Sequence, residues 1–299
     1  MSSVQLSTEV TERRLAHLLG DYLSLCKPRI VVLLVLTALA SMFPAAHGWP
    51  HPTRFLAVLV GGALAAGGAS AINCWFDRDI DAEMRRTRRR PIPDGRIPGW
   101  HALVLGVVLN VLAFLVLYAW TNLVAALLAL LGTLVYVFVY TIWLKRTTPQ
   151  NIVIGGSAGA IPPLVGWAAV TGHLDLTALS LFLVIFFWTP PHFWSLAQMI
   201  QADYDRVRVP MLPVVAGAVT AKRQSLVYAV LLFIVSLVPF LTGAVGPIYF
   251  AGALVLGAGF VTLAVLDLTQ RRWTMRVWVY SMSYLAALFA LLALASFQT

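Results

Sequence analysis

Charge is scarce in this chain. Only 11% of its 299 residues are Asp, Glu, Lys or Arg, against 60% that are hydrophobic. A water-soluble domain cannot hide that much apolar surface, so the composition excludes a soluble enzyme and makes lipid the solvent. Cysteine is scarcer still. Cys26 and Cys74 stand far apart and form no CxxC, which excludes a zinc ribbon or a disulfide framework; Cys74 reads as a small packing residue. Strand-period alternation is absent, which excludes a membrane β-barrel. The first 26 residues carry Glu9, Glu12 and Asp21 and lack an apolar core, so they read as neither a signal peptide nor an acid-poor transit peptide. A bacterial plasma membrane is the expected location.

What is present is a series of apolar runs long enough to span a bilayer as helices. They predict an all-α polytopic membrane protein with nine spans, over about 29–47, 54–76, 101–119, 122–143, 152–171, 177–199, 225–243, 247–268 and 276–297. Residues 1–26 form a cytoplasmic tail and 27–299 one transmembrane domain in this reading. The net charge of +9 does not point to nucleic acid, because the cations are unevenly placed. The tail and the even-numbered connections hold the arginine-rich run 85–90, Lys145, Arg146, Arg206, Arg208, Lys222, Arg223, Arg271 and Arg272, whereas the other side holds only Arg54. The positive-inside rule then puts the N-terminus in the cytoplasm and Thr299 outside. Pro162-Pro163 and Pro190-Pro191 are expected to kink or break the fifth and sixth helices. Small residues at 61–70 and 155–160 are expected to let helices approach closely.

The acids gather on the cytoplasmic side too, with only Asp175 outside, and no topology rule requires that. Asn73, Asp77 and Asp81 lie four residues apart in NCWFDRDIDAEMRRTRRRPIP, at the end of the second span. If the helix continues through them, they share one face. Two carboxylates and an amide suit a hard cation such as Mg2+, and the following arginines suit a phosphate. Arg86 and Arg90 would sit i,i+4 on a helix and could grip one anion together. Asp79 and Glu83 would point elsewhere into solvent. Asp203 and Asp205, after the sixth span, either pair with Arg206 and Arg208 or add a second metal or diphosphate contact across a shared cavity. His192, in WTPPHFW, is either a satisfied buried histidine or a contact for a large aromatic substrate.

Three segments carry a resemblance: residues 73–97, residues 140–167 (YTIWLKRTTPQNIVIGGSAGAIPPLVGW), and WTPPHFWSLA with DYDRVRVPMLP across 188–213. In order and spacing they resemble the haem-modifying branch of the UbiA superfamily of intramembrane prenyltransferases. The resemblance implies nine helices around a central cavity open toward the cytoplasmic loops. It implies transfer of the farnesyl group of farnesyl diphosphate to a vinyl group of haem B, giving haem O. By motif, Asn73, Asp77 and Asp81 would form the catalytic Mg2+–diphosphate site. Arg86, Arg90, Lys145, Arg146, Asp203 and Asp205 would contact diphosphate or haem propionates, and His192 would contact the haem. The partners implied are farnesyl diphosphate, haem B, the lipid bilayer, and a haem A synthase or terminal oxidase assembly. This chain has Val207-Arg208 where that branch usually has Ala-Gly, and Met199 and Val207 four residues either side of Asp203, so the DxxxD pattern of many relatives is missing. Two other functions fit parts of the pattern: prenyl transfer to another aromatic acceptor, such as a quinone precursor, and transport of an anionic metabolite. WTPPHFW argues against the first, and acids clustered at one membrane face argue against the second.

Overall fold

The computed structural model describes residues 17–269 and 273–298. Most of the 1–26 tail, with Arg13 and Arg14, lies outside them, as do Arg271 and Arg272. The described residues contain nine helices long and apolar enough to cross a membrane: α1 (Pro28–Ala46), α2 (Pro52–Phe76), α3 (Gly99–Trp120), α4 (Leu123–Arg146), α5 (Asn151–Thr171), α6 (Leu176–Met199), α7 (Gly217–Leu241), α8 (Pro247–Thr269) and α9 (Thr274–Gln298). Side-chain caps close the starts of α4 and α6. Asn122 Oδ1 accepts from Ala125 N at 2.9 Å and Asp175 Oδ1 from Ala178 N at 2.9 Å. The one acid assigned to the outer side thus serves as the cap of α6.

Each helix packs on the next, and α9 returns to α1, so the helices close into a ring. Contacts of α1 with α5 and of α6 with α9 run across it, and they set the two larger apolar cores. The outer faces keep large apolar side chains such as Leu33, Leu241 and Val255 exposed, as lipid-facing surfaces require. The small residues do the packing expected of them. Gly68 of α2 and Gly106 of α3 face each other so closely that a Cβ on either would strike the other's carbonyl oxygen.

Two expectations need correction. The seventh helix begins at Gly217, eight residues before the apolar run at 225. The polar turn stays helical because Lys222, read as part of a connection, donates to the buried Asp267. Hydropathy marks the lipid slab, whereas a helix ends where its partners end. Neither proline pair ends its helix: α-helix runs through Pro162-Pro163 and through Pro190-Pro191, and the interruption in α5 falls earlier, at Gly156. Neighbouring helices tolerate freed backbone groups in a membrane bundle better than water-exposed helices do.

Candidate active site

α2 bends at Asp77, whose φ of −86° and ψ of 2° lead into the short helix Arg78–Glu83. The helical ladder still passes through the bend. Asp77 N donates to Asn73 O at 2.9 Å, and Asp81 N donates to Asp77 O at 2.8 Å. The four-residue spacing therefore keeps its meaning, and the three side chains turn inward together. Asn73, Asp77 and Asp81 are 2%, 1% and 3% exposed, so their polar groups depend on protein partners.

Each of the three has its own cation. Lys27 Nζ donates to Asn73 Oδ1 at 2.6 Å, Lys145 Nζ to Asp77 Oδ2 at 2.5 Å, and Arg90 Nη1 to Asp81 Oδ2 at 2.5 Å. Asn73 Nδ2 donates to Asp77 Oδ2 at 2.7 Å and to Thr141 Oγ1 at 3.0 Å. Thr141 lies in a π-helical stretch of α4, Val135–Trp143, and donates in turn to Tyr136 O at 2.8 Å. Such wide turns recur at functional sites, and here the wide turn carries Thr141 to the amide. Burial disfavours the Arg90 charge and Asp81 restores it, with the net shift upward.

The arginine-rich run is not helical, so Arg86 and Arg90 do not pair i,i+4. Thr87 Oγ1 ties the loop to Asp81 O at 3.0 Å, and only Arg90 turns onto a site carboxylate. Arg86 is exposed and lies near the buried Tyr204 hydroxyl, whose pKa rises through burial against the opposing pull of that guanidinium. Asp79 is not simply solvated. Arg146 grips both its oxygens, at 2.6 and 2.7 Å, and holds its carboxyl at about 2. Arg146 stays 4.0 Å from Asp77 Oδ1.

The second acidic loop comes up beside the first. Ile80, Met84, Trp194, Tyr204 and Val209 share one apolar cluster, and Arg206 reaches Glu83 O at 3.5 Å. Asp203 is buried and Asp205 exposed, and among the described residues neither carboxylate forms an ion pair with Arg206 or Arg208. His192 lies apart from the carboxylates, on α6. Its Nδ1 is 2.7 Å from Ser281 Oγ, and its ring stacks on Trp188 at 4.3 Å and 17°, with Trp278 beyond at 6.3 Å and 25°. An apolar groove of about 620 Å3 between α2, α3 and α4 uses Ile72, Trp75 and Phe76, a different face of α2 from Asn73 and Asp77.

The donor set fits Mg2+. Among the described residues no three His, Cys, Asp or Glu side chains gather as a cage. Mg2+ needs none, since it usually takes one or two carboxylates with waters and substrate phosphate oxygens. Asp77 Oδ1 is buried with no hydrogen-bond partner, a costly state for a carboxylate oxygen and a ready one for a hard cation.

The UbiA prenyltransferase family matches residues 34–283. The chain belongs to that family. Among UbiA relatives, the Protoheme IX farnesyltransferase of Roseiflexus sp. (strain RS-1) is 52% identical over 279 residues, covering 92% of this chain and 52% of that protein. The chain thus spans about half the length of several curated relatives it matches. The Protoheme IX farnesyltransferase of Symbiobacterium thermophilum is 51% identical over 273 residues, covering 90% of this chain and 91% of that one. A solved UbiA homolog from Archaeoglobus fulgidus, bound to DMAPP and Mg2+, shares the fold with a TM-score of 0.66 at 16% identity, over 91% of this chain and 99% of that chain. Sequence reasoning missed Lys27 as a site residue and missed Thr141. A signal for the first was in view: a lysine immediately before the Pro28 that opens α1.

Proposed function

We propose that this chain transfers the farnesyl group of farnesyl diphosphate to a vinyl group of haem B, giving haem O and diphosphate. The observation that carries the reading is the buried Asn73–Asp77–Asp81 face with a basic side chain on each member. The family and the relatives' names supply the substrates. Mg2+ bound by Asp77 and Asp81 with Asn73 would supply positive charge to the departing diphosphate. Lys145, Arg90, Arg86 and Arg146 bring further positive charge for the diphosphate or the haem propionates. Asp203 and Asp205, from the sixth connection, would add a second contact to the metal or the diphosphate. A farnesyl group losing an anion becomes cationic, and a dry aromatic site keeps water away until the vinyl carbon attacks. Water then adds to the cation left on the porphyrin side chain and, giving up a proton to solvent, becomes the hydroxyl of haem O. His192, held by Ser281 among the rings of Trp188 and Trp278, would contact the haem.

The orientation follows the charge bias: N-terminus and site at the cytoplasmic face of a bacterial plasma membrane, Thr299 outside. The bilayer delivers both apolar substrates laterally, and the product serves a haem A synthase or terminal oxidase assembly. Expression in a host lacking its own haem farnesyltransferase tests the reading. Mass spectrometry of extracted haems should reveal haem O. Unmodified haem B alone, with prenyl transfer to hydroxybenzoate, would move the chain to the quinone-type reading.

A further inference from the structure

Lys27 stands out from the other basic residues around the site. Its backbone is left-handed, with φ 52° and ψ 60°, and Pro28 follows it. Side chains other than glycine adopt this region at a cost, and a following proline restricts the residue further. Such a conformation persists where the surroundings over-determine it, and it is a reason to look for a role. A lysine just before a membrane span ordinarily reaches outward to water and headgroups. This one is half-buried and turns inward, onto Asn73 Oδ1 at 2.6 Å.

The placement completes a pattern. Asn73, Asp77 and Asp81 each have one oxygen covered by a cation: Lys27, Lys145 and Arg90. Two carboxylates facing three cations leave one positive charge. A divalent cation arriving alone meets that excess, and finds an ammonium on the amide oxygen beside the free Oδ1 of Asp77. An anion arriving alone is attracted. Both Nδ2 hydrogens of Asn73 are committed, to Asp77 and Thr141, so the amide cannot turn away and Oδ1 keeps its place under the ammonium.

We propose that Lys27 is a positioning residue that sets the order of loading. Its ammonium covers Asn73 Oδ1 in the empty site and passes to the diphosphate when that anion enters, which frees the amide oxygen for the metal. Diphosphate therefore binds first, and each ligand strengthens the other, as linkage requires. The inference rests on the diphosphate reading of the site.

Calorimetry on the purified full chain, with inorganic pyrophosphate in EDTA and with Mg2+ alone as separate probes, tests it without turnover. The wild-type protein should bind pyrophosphate alone more tightly than Mg2+ alone. Lys27→Gly keeps the left-handed turn and removes the ammonium. In that variant pyrophosphate alone should bind about tenfold more weakly, the worth of one charge-assisted hydrogen bond, and Mg2+ alone should bind more tightly. Lys27→Arg should restore the pyrophosphate affinity. A purely structural lysine would not move the two constants in opposite directions. Unchanged constants in Lys27→Gly, or weaker Mg2+ binding, would overturn the proposal. If Lys27→Gly does not fold, the wild-type order decides, and Mg2+ alone binding more tightly than pyrophosphate overturns it. A wild-type protein that binds no pyrophosphate and makes no haem O overturns the diphosphate reading itself. One that makes haem O with the wrong binding order overturns this inference alone.

Discussion

Lys145 Nζ donates to Asp77 Oδ2 at 2.5 Å, while Oδ1 of the same buried carboxylate has no hydrogen-bond partner. One oxygen is neutralised and the other, 4.0 Å from Arg146, accepts no hydrogen bond, so Asp77 would be able to ligate the proposed metal without being an unpaired charge. Asp77→Asn keeps the size and an acceptor but loses the charge. Haem O formation should fall at least about 100-fold in Asp77→Asn and in Asp81→Asn, with the protein still inserted and monodisperse in detergent. Asp77→Ala should also lose stability, by about 3–5 kcal/mol, because it strands Lys145 in a buried site. Haem mass spectrometry with thermal unfolding separates the two effects. Wild-type haem O yield in both Asn variants would remove the proposed metal site.

The imidazole of His192 is fixed on one edge by Ser281 and on one face by Trp188. If that surface receives the porphyrin, His192→Ala should weaken haem binding about tenfold or more, read from the Soret band, because a buried polar partner is lost. Pyrophosphate binding should not change, since no contact links His192 to Asn73, Asp77 or Asp81 among the described residues. Equal loss of both affinities would instead mean that α6 has shifted as a whole.

Much of this was legible in the chain. The nine spans and the three-residue face at four-residue spacing were readable because lipid imposes a crude rule on composition and a helix imposes a strict one on spacing. The face survived even the bend at Asp77, since the backbone ladder runs on through it. Lys27 was hidden because its partner Asn73 is 46 residues away, and positive charge beside a span already had an explanation in sidedness. Thr141 was hidden because its approach depends on a wide turn that periodicity of 3.6 does not foresee. The arginine-rich run misled for the opposite reason: charge gives no period, so nothing in the sequence said that the helix would stop at Glu83.

Away from the site, Lys222 and Asp267 form a further buried ion pair, at 2.8 Å, joined by Thr274 Oγ1 at 2.8 Å. It ties the start of α7 to the end of α8 and the start of α9. Among the described residues no hydrogen bond or ion pair links it to the Asn73 face, and a structural role is the expectation to test. Lys222→Met should cost about 3–5 kcal/mol by leaving Asp267 uncompensated, whereas Lys222→Met with Asp267→Leu should recover most of that loss. Unfolding midpoints in detergent would check this, with haem O formation per folded molecule unchanged in both. A large loss of specific activity in the double variant would assign the pair to the site after all.

Arg208 takes the left-handed conformation, φ 53°, at the end of the short helix Gln201–Arg206. The hydrogen bonds around it explain why. Val209 N donates to Tyr204 O at 3.1 Å and Arg208 N to Asp205 O at 3.1 Å, the paired bonds of a Schellman helix end. Val209 and Tyr204 also pack in one apolar cluster, the contact that usually accompanies this motif. Glycine is the favoured residue at that position, and the haem-modifying branch that this chain resembles usually has Ala-Gly there. The chain therefore keeps the turn and carries the strain of an arginine. Arg208→Gly should raise stability by up to about 1 kcal/mol, the left-handed penalty less the entropy glycine adds to the unfolded chain. Arg208→Val should lower it, since a β-branched residue is worse placed still. The same turn sets where buried Asp203 sits, so Arg208→Val should reduce haem O formation more than Arg208→Gly does. Paired thermal unfolding and haem analysis of the two variants would test both statements, and a glycine variant less stable than the parent would show that the arginine side chain itself holds the loop.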